Sequence, residues 1–211
     1  MALRPEPPLP FAILTVCTGN ICRSPFAEQY LRAGLADLPG LVFGSAGTMA
    51  SDGDRMPPQA EAMSRAYGGD PAAHRARFLF ESQVTEASLV LAMAREHRRA
   101  VVSMHPRASR YTFTLREFAR LAGGLTDDEL IDIARLPVTA TAERLRALVA
   151  LVAGRRGRVA VPDDPNEDDV VDPYRRSDSV YDASARQLVP AADIVIRVIG
   201  RATSIAMETA R

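Results

Sequence analysis

Cys17-Thr18-Gly19-Asn20-Ile21-Cys22-Arg23-Ser24-Pro25 holds both cysteines of the chain, with Arg23 six residues after Cys17. A thiolate is the nucleophilic form of cysteine, and a guanidinium is a planar fork that matches two oxygens of a phosphoryl group. One short loop carrying both would hold a nucleophile and an oxyanion clamp. Thr18, Gly19, Asn20, Ile21 and Cys22 lie between them and would turn backbone N–H groups toward a bound phosphate. Displacing an alkoxide or phenoxide from phosphorus also needs a proton on the leaving oxygen, which a positioned acid supplies for about 10²–10⁴-fold in rate. Asp172-Pro173-Tyr174 is a candidate: Pro173 stiffens the chain beside the carboxyl, and Tyr174 could line the mouth of a pocket for an aromatic group. Asp164-Pro165 is a second copy of the dipeptide, and Asp-Pro pairs are common in turns.

The elements around these residues decide whether they can meet. The apolar run 11–16 reads as a strand and 26–36 as a helix, so the cysteine loop is a strand-to-helix turn. Such a turn gathers backbone N–H groups and the positive end of a helix dipole at one point, which favours both a bound phosphate and a thiolate. Residues 41–46 read as a second strand, 88–93 as a third that is apolar throughout, and 111–114 as a fourth. Helical segments fall at 59–67 and 95–104, two or three more within 115–157, and two at 179–188 and 191–207. Thr126 to Glu129 has the spacing of a capping box, and the acidic stretch 162–172 reads as an exposed loop. Strands alternating with helices imply an α/β fold: an open, doubly wound parallel sheet of about four strands with helices on both faces. Ligands of such sheets bind beyond the C-terminal ends of the strands, where the cysteine loop already lies.

Composition narrows the function classes. The 211 residues, 47% hydrophobic, suffice for one core, so 1–211 is expected to be a single domain. Net charge is zero and every basic residue is Arg, so nothing suggests a nucleic-acid surface. The Pro-rich start, 1–10, has no long apolar run, and the apolar stretches 145–153 and 194–199 are short or broken by charge, so neither a signal peptide nor a membrane span is expected. Two cysteines confined to one loop fit a reducing cytoplasm better than a disulfide framework. With no His cluster beside them, neither a metal nor another cofactor is expected.

Residues 16–25 resemble, without a gap, the signature of the low-molecular-weight protein tyrosine phosphatases, Val-Cys-x-Gly-Asn-x-Cys-Arg-Ser-Pro. The resemblance extends over about 11–114 and 171–207 and implies a flavodoxin-like sheet and a phosphotyrosyl protein substrate. It implies Cys17 as nucleophile, Arg23 as phosphate clamp and Asp172, rather than Asp164, as general acid. Asn20, Ser24, Ser45 and His74 match positions that hydrogen-bond the loop into shape, with Ser24 stabilising the thiolate. His97 and His105 carry no site signal. Against the compact family, 116–169 looks like a helical insertion. The loop after Thr48, an aromatic wall in many relatives, reads Met49-Ala50-Ser51-Asp52, which puts selectivity for tyrosine in doubt; Ala94 stands where relatives often have Asp.

Three other activities share parts of this pattern. A thioredoxin-coupled arsenate reductase needs cysteines beyond Cys22, and the chain has none. Relatives that act on phosphoarginine carry Thr where this chain has Ile21, whose apolar branch suits a phenyl ring better. A non-catalytic phosphate-binding module would have no need of Cys17, Arg23 and Asp172 together. Oxidation of Cys17 is expected to be captured by Cys22 as a disulfide, reversible by thiol.

Overall fold

The computed structural model describes residues 9–206. Readings that touch 1–8, and the end of the last helix at Met207, lie outside the described residues. Among them, β1 (Phe11–Cys17), β2 (Leu41–Gly47), β3 (Leu89–Ala92) and β4 (Thr112–Thr114) form one sheet in the order β2-β1-β3-β4. All neighbours are parallel, with Phe11 opposite Leu41, Ile13 opposite Leu89 and Val90 opposite Thr112. Helices α1 (Arg23–Gly34), α2 (Pro58–Ala66), α3 (Glu81–Glu86), α4 (Arg95–Met104), α5 (Leu115–Ala122), α6 (Ile131–Ala134), α7 (Thr141–Gly154) and α8 (Asp178–Ser204) connect and cover the strands.

Strand alternation explains the two covered faces. Phe11, Ile13, Leu89, Leu91 and Phe113 point to a buried cluster completed by Phe26, Phe118, Leu145, Leu148 and Leu188 from α1, α5, α7 and α8. Leu14, Val16 and Val90, displaced by one position, point to the other face and meet Val84 of α3 and Val101 of α4. The central strands read as unbroken apolar runs because both faces are packed.

Three boundaries differ from expectation. Residues 179–207 were expected as two helices around Pro190, but α8 runs through Pro190. Leu188, Ala191, Ala192 and Val195 are all buried around it, and this continuous packing face holds the helix together across the missing N–H. The capping-box bonds of Thr126 and Glu129 do form, at 2.9 and 3.3 Å, yet they close a turn, and helix starts only at Ile131. A second box, Thr114 with Glu117, caps α5. The stretch 162–172 is not simply an exposed loop: Pro165–Asp168 forms a 3₁₀ turn, and Asp168 and Asp169 pair with Arg120 and Arg95. No helix of the described residues is long and apolar enough to cross a membrane.

Candidate active site

β1 ends at Cys17 and α1 begins at Arg23, so residues 18–22 form the expected strand-to-helix turn. Cys17 Sγ lies 3.0 Å from Ser24 Oγ, and the Asn20 side-chain amide donates to the same hydroxyl at 2.9 Å. Asn20 also accepts the Arg77 backbone N–H through Oδ1, and its own carbonyl meets His74 Nε2 at 2.7 Å. Asn20 has φ 52°, so the left-handed residue that bends the loop is Asn20, not Gly19. Asn20 and Ser24 are fully buried, which makes the turn a fixed cradle.

Arg23 folds back from the first turn of α1 and is almost wholly buried. Its Nη1 donates to the Val170 carbonyl at 3.1 Å and its Nη2 to Asp172 Oδ2 at 2.9 Å. Among the described residues its Nε is buried with no partner, an orphan donor such as an entering oxyanion would satisfy. Asp172 Oδ1 accepts the Tyr174 N–H at 3.2 Å, which fixes the carboxyl's orientation, and Arg175 lies over the Tyr174 ring at 5.0 Å. Cys17, Thr18, Gly19, Ile21, Cys22 and Arg23 line one pocket of about 270 Å³ with Met49, Ser51, Asp54, Asp172 and Tyr174. Asp164 is not among its lining residues; it caps its own 3₁₀ turn through Asn166. Met49 is strongly exposed and Tyr174 half-exposed, so the pocket wall is open to solvent on that side.

Two further expectations change. Ser45 does not bond the loop: its hydroxyl donates to Glu28 Oε2 at 2.6 Å, and Glu28 in turn accepts from Arg32. His97, which carries no signal in the sequence, is buried and places Nε2 2.8 Å from the Thr18 hydroxyl. Burial, helped by the nearby Arg23 charge, pushes His97 down to about 4, so it is neutral at pH 7. Burial likewise lowers His74. Cys22 sits beneath the loop with its thiol 4.0 Å from the Tyr181 hydroxyl, and burial pushes it up to about 12. It is therefore a thiol at neutral pH. Gly47, at the end of β2, was also missed: a Cβ there would lie 2.5 Å from the Thr18 carbonyl oxygen and 2.8 Å from the Asn20 nitrogen. Only a position without a side chain lets β2 support the loop this closely.

A cysteine at the end of a parallel strand, a backbone cradle, a buried arginine and a facing carboxylate define a cysteine-dependent phosphatase site. The low molecular weight phosphotyrosine protein phosphatase family model matches residues 12–128, and the chain belongs to that family. It is 38% identical over 124 residues to a protein-arginine-phosphatase of Geobacillus stearothermophilus, covering 59% of this chain and 79% of the relative. It is 34% identical over 145 residues to a probable low molecular weight protein-tyrosine-phosphatase, EpsP, of Ralstonia nicotianae, covering 64% and 97%. Among solved structures, the low molecular weight protein tyrosine phosphatase of T. tengcongensis overlays with a TM-score of 0.62 at 30% identity, over 89% of this chain and 98% of that one. The arginine phosphatase YwlE of G. stearothermophilus overlays at 0.61 with 28% identity, over 89% and 92%. The protein is thus a phosphatase of phosphoprotein substrates.

Proposed function

We propose that the chain hydrolyses aryl phosphate monoesters, phosphotyrosine in a protein foremost, through a phosphocysteine intermediate. The carrying observation is the convergence of Cys17, Arg23 and Asp172 on one pocket from two distant parts of the chain. Cys17 attacks phosphorus in line as the leaving oxygen departs, while Arg23 and the loop amides take the charge on the equatorial oxygens. Asp172 gives its proton to the leaving oxygen. The same carboxylate then removes a proton from the water that attacks the phosphocysteine, releasing phosphate and restoring Cys17. Ser24 lies beside the attacking sulfur across the 3.0 Å contact. Thr18, Gly19, Asn20, Ile21 and Cys22 form the cradle, with Met49 and Tyr174 as walls for the substrate ring. His74 supports the cradle through Asn20. No metal takes part, and a reducing cytoplasm would keep both thiols ready.

Turnover of p-nitrophenyl phosphate in EDTA tests this reading. Cys17→Ser is expected to abolish that turnover while leaving inorganic phosphate binding largely intact; activity within tenfold of wild type would sink the mechanism. A second reading, phosphoarginine in place of phosphotyrosine, is favoured by the relative named a protein-arginine-phosphatase and by Asp54 and Asp172 at the pocket, which suit a cationic guanidinium. Ile21 in the pocket lining favours the phenyl ring. Competing phosphotyrosyl and phosphoarginyl peptides, assayed with wild type and Ile21→Thr, decide between the two.

A further inference from the structure

The acid loop is fastened at its back as well as at Arg23. Ala94 gives α4 no side-chain cap, and the vacant role is taken across the chain by Asp169. Its Oδ1 accepts the Arg95 backbone N–H at 2.7 Å, and its two oxygens engage the Arg95 guanidinium between 3.0 and 3.2 Å. The Asp169 carbonyl accepts from Arg116 Nη1 at 2.9 Å. The next residue, Val170, donates its N–H to the carbonyl of Met93, the residue just past β3, at 2.8 Å, and gives its carbonyl to Arg23. Asp172 follows two residues later.

We infer that Asp169, clamped between Arg95 and Arg116, is a positioning residue that sets where the Asp172 carboxyl stands relative to Arg23 and Cys17. This rests on the reading of Asp172 as general acid. The Arg95 side chain is 42% exposed and that of Asp169 24%, so the pair contributes little to global stability. Its effect is geometric. A carboxyl that must reach the leaving oxygen loses rate steeply with displacement, about 10²-fold for an error near 1 Å.

Asp169→Ala and Arg95→Ala test the clamp with two readouts. The first is amide hydrogen exchange, which needs no activity. The Val170 N–H is expected to exchange at least tenfold faster in Asp169→Ala, with the α1 and β1 amides unchanged; wild-type protection in both variants would overturn the clamp. The second is kcat/KM across aryl phosphates of graded leaving-group pKa, which reports the transfer to Cys17. Asp169→Ala is expected to lose about ten- to a hundredfold on phenyl phosphate and less than threefold on 2,4-dinitrophenyl phosphate, because only the poorer leaving group needs full protonation. Equal loss on both, or none on either, would overturn the positioning role. Wild-type protein inactive on every aryl phosphate would instead refute the phosphatase reading, and the exchange result would still decide the clamp.

Discussion

Arg23 Nη2 and Asp172 Oδ2 stand 2.9 Å apart, so the group proposed to grip phosphate and the group proposed to protonate the leaving oxygen form an ion pair with each other. Phosphate must share Arg23 with this carboxylate or move it aside. The Nε, with no partner among the described residues, offers the first foothold.

Neutralising that carboxylate is therefore expected to have opposite effects on binding and on chemistry. Asp172→Asn should tighten inhibition by inorganic phosphate about two- to fivefold, since a half-exposed ion pair is worth up to about 1 kcal/mol. The same variant should lower kcat/KM on phenyl phosphate by about 10²–10⁴-fold and on 2,4-dinitrophenyl phosphate far less. Weaker phosphate inhibition, or an equal loss across leaving groups, would point to another acid.

Gly47→Ala probes the support beneath the loop. The added Cβ meets backbone, the Thr18 carbonyl and the Asn20 nitrogen, neither of which can rotate away. The loop must shift, at about 1–3 kcal/mol in stability and up to about 10²-fold in kcat. Urea unfolding and p-nitrophenyl phosphate kinetics measure both. A variant with wild-type kcat would show that the loop tolerates displacement.

The cysteine turn and the parallel sheet were legible because they rest on local signals, an apolar run and a motif; Asp172 was favoured over Asp164 only through the family resemblance, and its ion pair with Arg23 was not foreseen. Gly47, His97 and Asp169 were not legible. Each acts through a contact with a residue far away in sequence, Thr18 in two cases and Arg95 in the third. Ala94 was the one trace, since an uncapped helix start implies a donor group met from elsewhere. Pro190 misled for a related reason. Local backbone chemistry argued for a break, and burial along α8 overrode it.

His97 gives a pH dependence with a definite sign. Its folded value of about 4 lies below the ordinary histidine value of 6.5, so between these pH values the unfolded chain binds the proton and the folded chain does not. Stability is full above pH 6.5 and falls as the pH drops toward 4, by about 3 kcal/mol at most from this residue. His74, lowered in the same direction, adds to the slope. Unfolding of wild type and His97→Gln at pH 7.5 and 5 checks this. The variant should lose less stability between the two; an equal loss would show that His97 takes up its proton in the fold.

The segment between β4 and Asp172 is read best through Arg144, fully buried on α7. Its guanidinium donates to five carbonyls: Ala134 and Leu136 at the end of α6, and Ala202, Thr203 and Ile205 at the end of α8, at 2.7 to 3.3 Å. Helix C-termini carry orphan carbonyls and the negative end of the dipole, so one buried cation satisfies two helix ends at once. Leu145, Leu148 and Val152 on the same helix fill the main core beside α8. Replacing 116–169 with a Gly/Ser linker would remove all of this, together with Asp169, and the trimmed chain is expected not to fold. Arg144→Leu isolates the cation. It leaves several buried carbonyls without donors and is expected to lose about 3–5 kcal/mol in urea unfolding, while kcat on p-nitrophenyl phosphate at low temperature stays within about twofold. Arg144→Lys should recover only part of that loss, because a single ammonium cannot span carbonyls from two helices. A stable linker variant that kept p-nitrophenyl phosphate activity and lost only phosphoproteins would show the segment to serve substrate choice instead.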